Sequence, residues 1–163
     1  DDQFSLIRPH ISLVFPISSD AISEEALISH IQNKIQGIKS FPVHLNGLTK
    51  SWDHFLFLTP KEGNDEIIKL HDNLYTGILE KFYTNYIEFI PHVWLVQFQD
   101  KKVQYDLANP TKVPLDGSLY EKAFEEATSL KIDEIFQLDT LSLIKLDDGF
   151  SQILETTDFV LEK

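Results

Sequence analysis

At 163 residues, 42% of them hydrophobic, the chain is long enough to bury one core and too apolar to stay disordered, so one compact domain or two small lobes sharing a cleft are expected. No run approaches the roughly 18 consecutive apolar residues of a membrane span and nothing resembles a secretory leader, which reads as a soluble, cytoplasmic protein with no membrane partner. Zero cysteines exclude disulfides and thiolate metal sites, and a net charge of -12 argues against binding long nucleic acids while leaving small or terminal phosphates open.

Residues 8–15, Arg8-Pro9-His10-Ile11-Ser12-Leu13-Val14-Phe15, alternate as a strand, with Arg8, His10 and Ser12 on one face and Ile7, Ile11, Leu13 and Phe15 on the other. Asp20 or Ser23 can cap a helix whose apolar positions are Ala26, Leu27, Ile31, Ile35 and Ile38, with Gly37 near its end. Phe41 to Thr49 reads as a strand with a turn or bulge at Asn46-Gly47. His54 to Thr59 reads as another, followed by a loop at Pro60-Lys61-Glu62-Gly63-Asn64. A second helix is expected from about Asp65 to Phe82, where Ile67, Ile68, Leu70, Leu74, Ile78 and Leu79 form a stripe suited to packing on a sheet.

A second motif strand spans Ile87 to Gln99 and repeats the first motif as Pro91-His92-Val93-Trp94-Leu95-Val96-Gln97-Phe98, residues 91–98, with His92 and Trp94 on one face. A loop from Asp100 to Pro114, a helix from Ser118 to Leu130, and strands at Phe136 to Leu146 and Phe150 to Leu161 complete the chain. Asp147-Asp148-Gly149 is a hairpin signal between the last two. The order motif strand, helix, strand, hairpin, strand thus occurs twice. His10 is preceded by only nine residues, whereas a strand and a helix precede the second motif. With no methionine in the sequence, this asymmetry predicts a further strand and helix upstream of Asp1.

Two strand-borne histidines can divide proton transfer between them, because an imidazole titrates near about 6.5 and so one can accept a proton while the other donates. Hydrolysis of a 2',3'-cyclic phosphate needs that division: the attacking water loses a proton and the departing sugar oxygen gains one. Arg8 is the single arginine in the chain and shares the face of His10 and Ser12. Its fork suits phosphate oxygens, although an arginine at a strand end can equally be there for solvation.

The paired Pro9-His10-Ile11-Ser12-Leu13 and Pro91-His92-Val93-Trp94-Leu95 resemble the two histidine motifs of the 2H phosphoesterase superfamily, and most nearly its bacterial 2'-5' RNA ligase-like members. Leu70-His71-Asp72-Asn73-Leu74-Tyr75 is also similar to what those members carry ahead of the second motif. The resemblance implies an α+β, bilobal, pseudo-twofold fold in which two antiparallel sheets form a central cleft with helices packed outside. It implies a single bilobal domain over residues 1–163 and metal-independent cleavage of 2',5' or 2',3'-cyclic phosphate linkages, with no cofactor. His10 and His92 take the catalytic positions, Ser12 the first phosphate-binding hydroxyl. Trp94 departs from the pattern by standing where a second serine or threonine belongs.

Three functions follow: a phosphodiesterase acting on a small nucleotide or RNA-terminus phosphate, a 2'-5' RNA ligase, or a nucleotide-binding domain with an impaired site. Acidity disfavours the second, which must hold two RNA ends, and Trp94 favours the third. His30, His44, His54 and His71 read as surface or satisfied core residues, Lys101 and Lys102 as a solvated turn, and no metal-ligand spacing is present.

Overall fold

The computed structural model describes residues 7–51, 55–84, 88–97 and 117–163. Four antiparallel strands form the main sheet in the order β3-β2-β1-β4: β1 is Phe41–Lys50, β2 Phe55–Glu62, β3 Val93–Gln97 and β4 Glu134–Leu138. A separate antiparallel pair joins β5, Thr140–Leu146, to β6, Ile153–Val160. Helices α1 (Glu24–Ile35), α2 (Asn64–Leu74) and α3 (Gly117–Ser129) complete a mixed α/β architecture.

Of the two caps the sequence allows, Asp20 and Ser23, helix α1 uses the second: the Ser23 hydroxyl accepts the Ala26 N–H, and Glu24 and Glu25 lie in the first turn against the positive end of the helix. Its inner face runs through Ile28, His30, Ile31 and Ile35, while Ala26, expected inside, is exposed. In β1 the Asn46-Gly47 signal is a bulge. The register jumps from Leu45 opposite Pro60 to Gly47 opposite Thr59, and at Gly47 a Cβ would collide with the Thr59 hydroxyl.

The core is centred on α2 against β1 and β2. Val43 and Ile67 are 0% exposed, and Leu56, Leu70, Leu74 and Leu79 are buried with them. Each such side chain contributes about 1.5–3 kcal/mol over the exposed state. Gly63 permits the sharp entry into α2 at a φ of 81°, where a side chain would press on the Pro42 carbonyl and Val43.

Several sequence-based boundaries are corrected. The first motif, residues 8–15, is an irregular segment with bends at Pro9, Leu13 and Val14, and is no strand. Pro9 offers no N–H, and side chains occupy the backbone groups a ladder would need: the Leu13 carbonyl accepts from His71 and the Phe15 N–H donates to the Tyr75 hydroxyl. Val14 packs toward the core, whereas Phe15 is 50% exposed. The expected helix 65–82 is two pieces, since the Tyr75 and Thr76 N–H groups close α2 and Gly77 turns at a φ of 61° into a 3₁₀ helix, Gly77–Phe82. Ile78 is consequently exposed.

Strand β2 continues through Pro60 to Glu62 instead of yielding to a loop, and the second motif forms a strand only from Val93. The expected strand Phe136–Leu146 breaks at Asp139, whose carbonyl accepts the Leu161 N–H, so that β4 joins the main sheet and β5 the hairpin. The hairpin turn itself is as expected at Asp147, whose carboxylate accepts from the Ser151 and Gln152 N–H groups, though β6 starts at Ile153 and not at Phe150. His54, the flanks of the second motif beyond Gln97, and the turn with Lys101 and Lys102 lie outside the described residues.

Candidate active site

Among the described residues, strand β3 places the second motif on the edge of the main sheet, with Trp94 opposite Phe57 and Val93 opposite Leu58. Alternation sends His92 and Trp94 to the same side, as the sequence predicts. Their side chains meet there: the Trp94 indole N–H donates to His92 Nε2 at 2.8 Å. The imidazole is stacked on Phe57 at 3.9 Å and 27° between planes, and the indole leans on Phe55 at 4.8 Å. His92 Nδ1 lies 2.6 Å from the Ile90 carbonyl. A carbonyl only accepts, so Nδ1 carries the proton and, in the neutral ring, Nε2 carries the lone pair that meets the indole N–H.

The first motif repeats this local geometry without a strand. His10 Nδ1 lies 2.9 Å from the carbonyl of Arg8, again two residues upstream, so its Nε2 also faces outward. Arg8, His10 and Ser12 are all exposed, while Ile11, Leu13 and Val14 pack against the core. Among the described residues neither the Ser12 hydroxyl nor the Arg8 guanidinium takes a hydrogen bond or ion pair, and His10 Nε2 has none either. All three are open to a ligand.

The side chains that hold the first motif down come from the end of α2, and composition or spacing alone did not single them out. His71 is 3% exposed and stacks flat on Phe89 at 3.7 Å and 2°, with Nδ1 2.6 Å from the Leu13 carbonyl. Burial holds its pKa below the ordinary imidazole value, with the Leu13 carbonyl and the charge of Asp72 acting in the opposite direction. The Tyr75 hydroxyl, raised in pKa mainly by burial, accepts the Phe15 N–H at 2.9 Å. Both residues sit in the Leu70-to-Tyr75 stretch, and the likeness of that stretch to its family counterpart is the signal in the sequence that points to them.

The other described histidines are structural. His30 Nε2 bonds the Leu74 carbonyl at 2.9 Å in the core, tying α1 to α2. His44 pairs with Asp133, whose carboxyl is held below its usual range by hydrogen bonds from His44 and Asn46. Two surface cavities, of about 620 and 490 Å³, are lined by Ala21, Gly77 and Lys81 and by Lys39, Glu66 and Lys69 among others, and neither includes a motif residue. Among the described residues no group of three or more His, Asp or Glu could hold a metal ion. No described helix is long and apolar enough to cross a membrane.

The chain is similar to known proteins. A family model for the 2'-5' RNA ligase superfamily matches residues 1–149. A Bacillus licheniformis protein, provisionally named a phosphoesterase, is 23% identical over 160 residues, which cover 96% of this chain and 83% of that protein.

Proposed function

We propose, from the premise that this chain belongs to the 2'-5' RNA ligase superfamily, that it is a metal-independent phosphodiesterase hydrolysing 2',3'-cyclic phosphates or 2'-5' linkages in nucleotides or RNA ends. The observation that carries the reading is the repeated anchoring of His10 and His92. Each ring is turned back by Nδ1 onto the carbonyl two residues upstream, which aims Nε2 away from the backbone. Two imidazoles so fixed can exchange protons only through Nε2, the atom a substrate would meet.

In this reading the two motif segments face one cleft in a pseudo-twofold arrangement. A water molecule attacks phosphorus and loses a proton to Nε2 of the neutral imidazole, the bond from phosphorus to one sugar oxygen breaks, and that oxygen takes a proton from Nε2 of the other, protonated ring. The Ser12 hydroxyl and the Arg8 fork hold the non-bridging oxygens as their charge redistributes. With a charge of -12, mononucleotides and short oligonucleotides are the substrates, and long duplexes are repelled.

The indole on His92 Nε2 favours a second reading, an impaired nucleotide-binding domain, because the contact must open before that nitrogen can serve the reaction. Turnover decides between them. Steady-state hydrolysis of 2',3'-cyclic nucleotides in excess EDTA is expected, with a bell-shaped dependence on pH. Activity lost to the chelator and restored by a divalent cation overturns the metal-free mechanism. Nucleotide binding with no turnover at any pH establishes the impaired domain.

A further inference from the structure

The two histidine motifs are separated by more than seventy residues, yet one side chain touches the supports of both. His71 donates from Nδ1 to the carbonyl of Leu13, the residue after Ser12. The flat of the same ring lies against Phe89, the residue before Ile90, and the Ile90 carbonyl orients His92. Tyr75, the C-cap of α2 four residues on, packs beside His71 at 4.9 Å and takes the Phe15 N–H, completing the hold on the first segment. Among the described residues that segment has no strand ladder, so side-chain bonds of this kind position it together with the packing of Ile11, Leu13 and Val14 on the core.

We propose that His71 is a positioning residue that sets the two catalytic histidines relative to each other, acting on His10 through its hydrogen bond and on His92 through its stacked face. Its burial suits it to the role. A ring 3% exposed, kept neutral by its surroundings, presents one donor in one direction and leaves the planar face for the aromatic neighbour. A hydrophobic residue could fill the space but could not hold the Leu13 carbonyl; an amide could hold the carbonyl but could not stack.

Those two halves can be separated. In His71→Phe the stack on Phe89 survives and the donor is lost; in His71→Asn the side-chain N–H₂ sits near the former Nδ1 position and the stack is lost. The imidazole ¹H–¹⁵N resonances of His10 and His92, assigned in the folded variants, report the outcome. His71→Phe is expected to shift His10 more than His92, and His71→Asn the reverse. Activity on a 2',3'-cyclic nucleotide, whose interpretation rests on the phosphodiesterase reading, should show kcat reduced about tenfold or more in His71→Phe with KM held within about twofold, since ångström-scale misplacement costs up to about a hundredfold in rate. A side chain that merely filled the core would lower the melting temperature and leave both imidazole signals and kcat in place, and that result overturns the proposal. Should His71→Phe fail to fold, His71→Asn and Tyr75→Phe carry the same comparison, the latter shifting His10 alone. Absence of turnover in the wild-type protein would remove the phosphodiesterase reading, while the opposite shifts of His10 and His92 would still establish the brace.

Discussion

The two motifs share a dipeptide, Pro-His, and share the bond from Nδ1 to the carbonyl two residues back, but they are held in place by different means. The second is built into the sheet: β3 is laddered antiparallel to β2, with an irregularity between Leu56 and Phe57, Phe57 backs the imidazole, and Phe55 backs the neighbouring indole. The first lies along the surface of the core without a ladder among the described residues and is fastened by His71 of α2 and by Tyr75, its C-cap. A short motif can therefore shape its own histidine, whereas the rigidity behind that histidine comes from whatever the fold places beneath it. The partners of Nε2 differ as well. His92 Nε2 is met by an indole N–H, and His10 Nε2 is open among the described residues.

The largest effect should come from removing the feature the two motifs share. His10→Ala and His92→Ala are each expected to reduce kcat on 2',3'-cyclic nucleotides by about 10²–10⁴-fold, the range of a lost general acid or base. Steady-state rates of the purified variants check this, and a variant retaining wild-type kcat would detach its motif from the chemistry.

The next test erases the difference at Nε2. Trp94 is 49% exposed and donates to His92, so Trp94→Thr should remove the indole bond to Nε2 and supply a hydroxyl where the family pattern has one. If the hydroxyl acts as an oxyanion-type donor worth on the order of 3 kcal/mol, activity should rise toward a hundredfold, with the melting temperature little changed. An unchanged or lower rate in a well-folded Trp94→Thr protein means the second half-site uses the indole for another purpose.

Smaller effects probe how the first motif is fastened. Tyr75→Phe deletes the acceptor for the Phe15 N–H and should cost about 1 kcal/mol in denaturant unfolding, in line with one intramolecular hydrogen bond. Ser142→Ala, which removes a hydroxyl bonded to Asp158 on the exposed β5–β6 hairpin, should cost less and leave the motif resonances unmoved.

The gentlest change is one of pH. The folded-state pKa of His71 lies below its ordinary value of 6.5, so above that value the ring is neutral in both states and no stability is lost. As pH falls below it the unfolded chain takes up a proton that the folded protein resists, and stability declines until the folded pKa is passed. Melting curves from neutral to mildly acidic pH should show this decline in the wild type and a weaker one in His71→Asn. Parallel curves would show that His71 does not contribute to it.

What the sequence determined by itself is what depends on near neighbours. The cap at Ser23, one of the two candidates in the sequence, and the turn at Asp147 are local: each bond involves residues a few positions apart, and the residue types favour it. The same holds for the shared face of His92 and Trp94, because alternation along extended backbone needs no partner. Periodicity also identified the buried positions of α2, Ile67, Leu70 and Leu74. What only the tertiary structure decided is which distant groups satisfy the backbone and the buried rings. The run from Phe136 to Leu146 has uniform strand character, yet β4 found β1 and β5 found β6, and the break at Asp139 follows from that choice of partners. The first motif has the pattern of a strand, but its carbonyl and N–H went to His71 and Tyr75, about sixty positions away in the chain. Hydrophobic alternation specifies a face and not a partner, and the partner is selected by the free energy of the whole packed arrangement.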